Sequence, residues 1–260
     1  MTQHVQWQGQ LNQTAVATLA NPGKMIVSPT KVGYIIMTTD RAGLERKFAA
    51  KQRNRNKPGV VLCGSLAQLD ELAEMTPKIR ALYQKHWDQD ILLGCILPWK
   101  PEARAKYLQD GQEELMMDRR GTSCFVIKFG TPSEQIAAHF WAEKRQMIYA
   151  SSANPSGQGN RGKVAGIGER IEQAADLVVE ADDYVASIQP DKTVETRYEQ
   201  GVMVSMVDQA GQLVKDEPTA PTDAVPVLIR KGLAVDRIML NLADAYDVWE
   251  YHHGVLLKSW

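Results

Sequence analysis

Cysteine is scarce in this chain: Cys63, Cys95 and Cys124 are the three thiols among 260 residues. An odd, widely spaced set with no C-x-x-C pair suggests neither a disulfide framework nor a structural zinc site. An excess of either charge is missing as well. The 30 lysines and arginines against 31 acidic residues leave a formal net charge of -1, which argues against a dedicated non-specific nucleic-acid coat while allowing a local basic cleft. No apolar run reaches about 18 residues, so no membrane span is expected, and no N-terminal run resembles a signal peptide. The expected location is therefore cytoplasmic. No internal repeat is present, and no carboxylate cluster announces a fixed metal site. His252 and His253 are adjacent, so their side chains diverge and make a poor ligand pair. What is there is a chain with 44% hydrophobic and 23% charged residues, enough for a sizeable core under a soluble surface. No linker divides it, and a single α/β domain over residues 1–260 is expected.

Strand and helix signals alternate along the chain. Asn12 caps a helix over 13–19, which Asn21-Pro22-Gly23 ends, and apolar strands follow at 25–28 and 32–37. Asp40 caps a helix to Ala50 with Leu44 and Phe48 on its inner face. After a turn at Lys57-Pro58-Gly59 comes a strand at 60–63. Ser65 starts a helix over 66–75, and Thr76 with Pro77 starts another to Trp87. Strands are expected at 91–97 and 123–129, separated by a polar stretch read as loop with some helix. Thr131, Pro132 and Glu134 read as a capping box for a helix to Lys144. A strand at 147–152 comes next, then an exposed, mobile glycine-bearing loop over 154–168. Further on, the pattern predicts a helix at 169–175, strands at 177–179 and 185–188, and a hairpin about Gln209-Ala210-Gly211. A strand at 227–229 and an amphipathic terminal helix over 234–252 complete the reading.

Two stretches carry the chemical signal. The strand at 147–152 runs into Ser151, Ser152, Ala153 and Asn154, with Pro155 and Gly157 fixing a turn just beyond. Hydroxyls, a carboxamide and close-approach backbone at a strand mouth suit an anionic or nucleotide ligand. An ordinary strand-to-loop exit would look much the same. The second stretch is Lys51-x-Arg53-x-x-x-Lys57-Pro58, which places positive charge at a helix end before the apolar run Val60 to Cys63. The glycine-bearing loop fits neither the P-loop spacing nor the dinucleotide fingerprint.

With these stretches in order, the chain resembles the YrdC-like family, the threonylcarbamoyl-adenylate synthases. Ser28-Pro29-Thr30-Lys31-Val32-Gly33-Tyr34-Ile35 is similar to that family's Pro-Thr strand end and Tyr-Gly pair. Lys51, Arg53, Lys57 and Pro58 match its basic signature, and Ser151 to Gly157 its Ser/Thr-Ser-Ala-Asn-x-Ser-Gly segment. Ser205-Met206-Val207-Asp208 and Arg230-Lys231-Gly232 resemble two later family stretches, so the matches run from about residue 12 to 245. The resemblance implies a twisted mixed α/β sheet, with flanking helices, around a basic cavity. It also implies a reaction: threonine and bicarbonate form a carbamate, which attacks the α-phosphate of ATP and releases pyrophosphate, for tRNA modification. On this resemblance Lys51 and Arg53 would be the catalytic cations. Lys51 and Arg53 with Ser152, Asn154 and Ser156 would hold ATP, and Mg²⁺ would travel with the nucleotide rather than in a fixed site. Thr30, Tyr34, Lys57, Lys128, Ser205 and Arg230 would meet the other substrates.

The chain also departs from the family pattern. Lys31 stands for an acidic residue, Val32 for a threonine, Ile35 for a glycine and Lys128 for an arginine. The family's Trp-Pro-Gly-Pro-x-Thr is Trp87-Asp88-Gln89-Asp90-Ile91-Leu92. An alternative function follows from these departures: a non-catalytic protein that keeps the fold and binds nucleotide, tRNA or double-stranded RNA.

Overall fold

A computed structural model describes residues 2–52, 59–155 and 158–252. Helix starts fall where short polar side chains can take up the free backbone N–H groups of a first turn. Asn12 accepts from the Ala15 N–H at 2.9 Å, Asp40 from Gly43 at 2.8 Å, Ser65 from Gln68 at 3.1 Å and Thr76 from Ile79 at 3.3 Å. The order is β1 (Gln3–Gln6), α1 (Gln13–Leu19), β2 (Ile26–Thr30), β3 (Gly33–Thr38), α2 (Arg41–Lys51) and β4 (Val60–Leu62). Next come α3 (Leu66–Leu72), α4 (Pro77–Asp88), β5 (Leu93–Pro98), α5 (Pro101–Tyr107), α6 (Glu113–Met116), β6 (Thr122–Ile127), α7 (Thr131–Lys144) and β7 (Ile148–Ser152). The remainder is α8 (Glu169–Ala174), β8 (Leu177–Glu180), α9 (Asp182–Ile188), β9 (Val202–Ser205), β10 (Val227–Arg230), α10 (Val235–Ala245) and β11 (Glu250–Tyr251).

The described strands form one mixed sheet in the order β1-β8-β2-β3-β7-β4-β6-β5-β9-β10-β11. Alternation of side chains along each strand separates two cores. Tyr149 joins Phe125, Leu228, Tyr83 of α4 and Ile238 of α10 in one. Its neighbours Ile148 and Ala150 join Ile26, Ala15 of α1 and Phe140 of α7 in the other. The result is a single α/β domain, a mixed sheet flanked by helices. No helix among the described residues is long and apolar enough to cross a membrane.

Several expectations are corrected. Residues 185–188 lie within the helix α9; four residues are too few to separate strand from helix by periodicity, and Asp182 and Asp183 favour a helix start. The terminal helix stops at Ala245, where buried Tyr246 turns extended, and Glu250–Tyr251 pairs in parallel with β10 instead. Gly130 rather than Thr131 is the residue before α7, and only the Glu134 half of the capping box forms, its carboxylate accepting the Gly130 N–H at 2.6 Å. The loop after β7 is not wholly exposed, because Asn160 is 5% exposed. The first strand, β1, is polar and was not foreseen; it pairs in parallel with β8 at the sheet edge.

Candidate functional site

A cavity of about 210 Å³ lies over the middle of the sheet. Its floor is a row of residues directly opposite one another on five adjacent strands: Leu62, Val126, Gly94, Met203 and Arg230. Gly94 sits at the centre of that row. A Cβ there would come within 3.0 Å of the Cys124 sulfur and 3.2 Å of the Val126 side chain, so the missing side chain leaves the floor open. Arg230 reaches the row through a bulge. Leu228 pairs with Val204, but Arg230 rather than Ile229 pairs with Met203, so one extra residue turns the arginine to the cavity face. Its Nε donates to the Gly201 carbonyl at 2.9 Å, which holds the guanidinium across the β9 start.

The rim is built by the β2–β3 turn and the end of β7. Lys51, the last residue of α2, is buried, and its ammonium donates to the Ser152 carbonyl and, at 3.0 Å, to the Ser152 hydroxyl. Lys51, the first residue of the basic stretch, therefore meets the small polar strand end at Ser152, which lines the cavity. Arg53, Lys57 and Ser156 lie outside the described residues. Asn154 braces its own loop, donating to the carbonyls of Pro155, at 2.8 Å, and of Gln158. Thr30 lines the cavity, yet its hydroxyl closes the turn, donating to the Gly33 carbonyl at 2.7 Å and accepting from Val32 at 3.2 Å.

Tyr34 lines the cavity, yet its hydroxyl is tied to the scaffold. Its hydroxyl donates to Asp182 at 2.7 Å and accepts the Ala181 N–H at 2.9 Å. Burial pushes its pKa up, so it stays a neutral phenol. Ser205 lies in a separate hollow with Arg119 and Asp208, and its hydroxyl donates to the Val207 carbonyl at 3.1 Å. The remaining predicted residue, Lys128, stands beside the cavity at a left-handed backbone position and contacts Asp90 at 3.4 Å.

Among the described residues lining the cavity Arg230 is the cation, Glu199 the anion, and much of the wall is apolar. Cys124 lines it as well, but burial raises that thiol to about 12, so it is no thiolate nucleophile at neutral pH. No group of three or more histidines, cysteines or acids among the described residues is placed to hold a metal.

Two features were not foreseen. Asn160 fastens the β3 start to the loop after β7. Its Oδ1 accepts from Tyr34 and Gly162, each at 3.2 Å, while its Nδ2 donates to the carbonyls of Tyr34 at 2.8 Å and Ala153 at 3.0 Å. That requires Gly33, whose φ of +129° suits glycine and whose Cβ would strike the Asn160 oxygen at 2.2 Å. A lone asparagine among loop glycines carries no periodic signal. The second feature is that Lys31, Lys128 and Asp90, each noted separately as a departure, form one cluster beside the cavity.

A mixed sheet with helices on both faces and a hollow over its central strands defines a single α/β domain. The chain belongs to the Sua5/YciO/YrdC family, whose model, described as "Telomere recombination", matches residues 18–205. The structure of hypothetical protein smu.1377c from Streptococcus mutans UA159 is 62% identical with a TM-score of 0.92, covering 98% of this chain and 99% of that one. E. coli YciO shares the fold at 18% identity and a TM-score of 0.64, covering 90% and 97%. P. abyssi Sua5 complexed with L-threonine does so at 20% identity and a TM-score of 0.61, covering 97% of this chain and 62% of that one. No curated protein sequence matches significantly.

Proposed function

We propose that the protein is an ATP-dependent synthase that forms a carbamoyl adenylate from an amino acid, bicarbonate and ATP. The observation that carries this reading is the hydrogen bond from Lys51 to Ser152, which lines the central cavity. Amine and bicarbonate would first condense to a carbamate with loss of water. A carbamate oxygen then attacks the α-phosphorus, the bond to the β-phosphate oxygen breaks, and pyrophosphate leaves. Charge accumulates on phosphate oxygens through this step, and a fixed ammonium beside them lowers its cost. Lys51 is the residue for that role, with Ser152 orienting phosphate or ribose oxygens. Arg53 and Ser156 are assigned the same end on sequence grounds. Arg230, turned to the cavity floor by the β10 bulge, would meet the carbamate or carboxylate end. Mg²⁺ would arrive with the triphosphate. Threonine is the first amino acid to try, since a relative of the same fold is complexed with it, and a tRNA adenosine is the acceptor implied by the resemblance.

The test is to incubate the protein with ATP, bicarbonate and a panel of amino acids, and to measure pyrophosphate and product mass. Pyrophosphate release that needs both bicarbonate and an amino acid is the expected result. The cluster of Lys31, Asp90 and Lys128 favours a second reading, a binding protein without turnover. Binding of ATP or tRNA with no pyrophosphate, weakened by salt, would replace the synthase by that reading.

A further inference from the structure

Lys31 sits in the β2–β3 turn between Thr30 and Val32, Lys128 precedes Phe129, and Asp90 is two residues before Leu92; those four neighbours all line the central cavity. The Lys31 ammonium donates to the Asp90 carbonyl at 2.6 Å and pairs with its carboxylate at 2.8 Å. The Lys128 ammonium lies 3.4 Å from the other carboxylate oxygen and 4.3 Å from the centre of the Trp87 ring. Burial within this group is unequal: the lysine side chains are 8% and 18% exposed, the aspartate side chain 66%. Two ammonium groups withdrawn from water thus share one solvent-facing carboxylate, leaving an excess positive charge. Lys31 is held by its backbone, which donates to the Phe129 carbonyl at 2.8 Å. Asp90 sits on the short connection between α4 and β5 at a φ of +52°, its N–H donating to the Trp87 carbonyl at 3.1 Å, and Lys128 has a similar φ of +54°. What separates the partners is side-chain burial: the two ammonium groups are enclosed, and the carboxylate faces solvent.

We propose that Lys31 and Lys128 form an anion subsite beside the cavity, and that Asp90 is a built-in cover displaced by a carboxylate or phosphate group of the ligand. A buried ammonium gains most from a close anion because little water competes for it. Removing Asp90's charge should therefore destabilise the free protein and strengthen anion binding together. The inference does not rest on adenylate formation. A negative pyrophosphate assay leaves it standing, and a failed anion test leaves the synthase reading standing.

The experiment compares melting of the wild-type protein and the Asp90→Asn variant in sodium malonate, sodium phosphate, and sodium chloride of equal ionic strength. In chloride the variant should melt below wild type. In one of the two anions it should bind at least tenfold tighter, seen as a rise about 3 °C larger than the wild type's. A response to malonate assigns a ligand carboxylate, and one to phosphate a phosphoryl group. Lys31→Gln added to Asp90→Asn should abolish the extra rise. An equal rise in wild type and Asp90→Asn, or one that survives in the double variant, overturns the proposal. If Asp90→Asn does not fold, wild-type emission decides the matter. Saturating anion should lift Lys128 from the Trp87 face and change fluorescence, and Trp87→Phe should remove that change. Emission that stays flat in both anions overturns the proposal as well.

Discussion

The β2–β3 hairpin is supported at two places by different means. At Tyr34 the main support is a neutral amide: Asn160 satisfies the backbone, while the phenol bridges the Asp182 carboxylate and the Ala181 N–H. At Lys31 it is ionic, through an aspartate that faces solvent. A buried amide that completes backbone hydrogen bonds has no cheap alternative, because every group it releases stays buried without water. An exposed carboxylate can be replaced by any other anion, or by water at a moderate cost. The first region is therefore scaffold and the second is an exchange point, although both touch the same hairpin.

Breaking the neutral support should have the largest effect. Asn160→Ala strands buried groups on Tyr34 and Ala153, so a loss of about 3 kcal/mol is expected in urea unfolding. If this variant is as stable as wild type, the distinction between the two regions disappears. Next in size is Lys51→Ala, which should weaken ATP binding about 10- to 100-fold in calorimetry while leaving the fold intact, the usual worth of a charge-assisted contact. Unchanged ATP affinity would move the nucleotide away from Ser152. Tyr34→Phe removes two hydrogen bonds but keeps the ring, and should cost about 1–2 kcal/mol with no change in ATP affinity. Loss of binding in a stable Tyr34→Phe protein would make the phenol a ligand contact.

The smallest effect is the pH response of the ionic support. Burial would raise the Asp90 pKa, but Lys31 and then Lys128 hold it below the usual carboxylate range. A depressed folded pKa means stability that is present above the unfolded value of about 4 and lost as pH falls through the folded one. Wild type should therefore lose more stability than Asp90→Asn between about pH 5 and pH 2. With a carboxylate this exposed, the difference should stay under about 1 kcal/mol and shrink in salt. Parallel pH curves for the two proteins would show that the pair contributes nothing to folding.

Much of the fold is legible along the chain because its signals are local. Asn12, Asp40, Ser65 and Thr76 cap the helices they were assigned, and the apolar strands at the sheet centre lie within a few residues of their expected places. Polar edge strands are another matter. β1 and β11 carry no apolar alternation and exist through pairing with β8 and β10. The candidate site was half legible. Lys51 and Ser152, assigned to one ligand on sequence grounds, hydrogen-bond each other, whereas Ser205, Asn154 and Thr30 spend their polar groups on neighbouring backbone. A hydroxyl or amide reads the same in sequence whether it serves a ligand or a turn.

From residue order and chemistry alone came the alternation of strands and helices, the helix starts, and the gathering of small polar groups at the end of one strand. Those depend on interactions within a few residues. Tertiary structure decided that one extra residue in β10 turns Arg230 toward the cavity, that Gly94 hollows its floor, and that Lys31, Asp90 and Lys128 meet. Each of these depends on which strands become neighbours and in what register, and so on segments far apart in the chain.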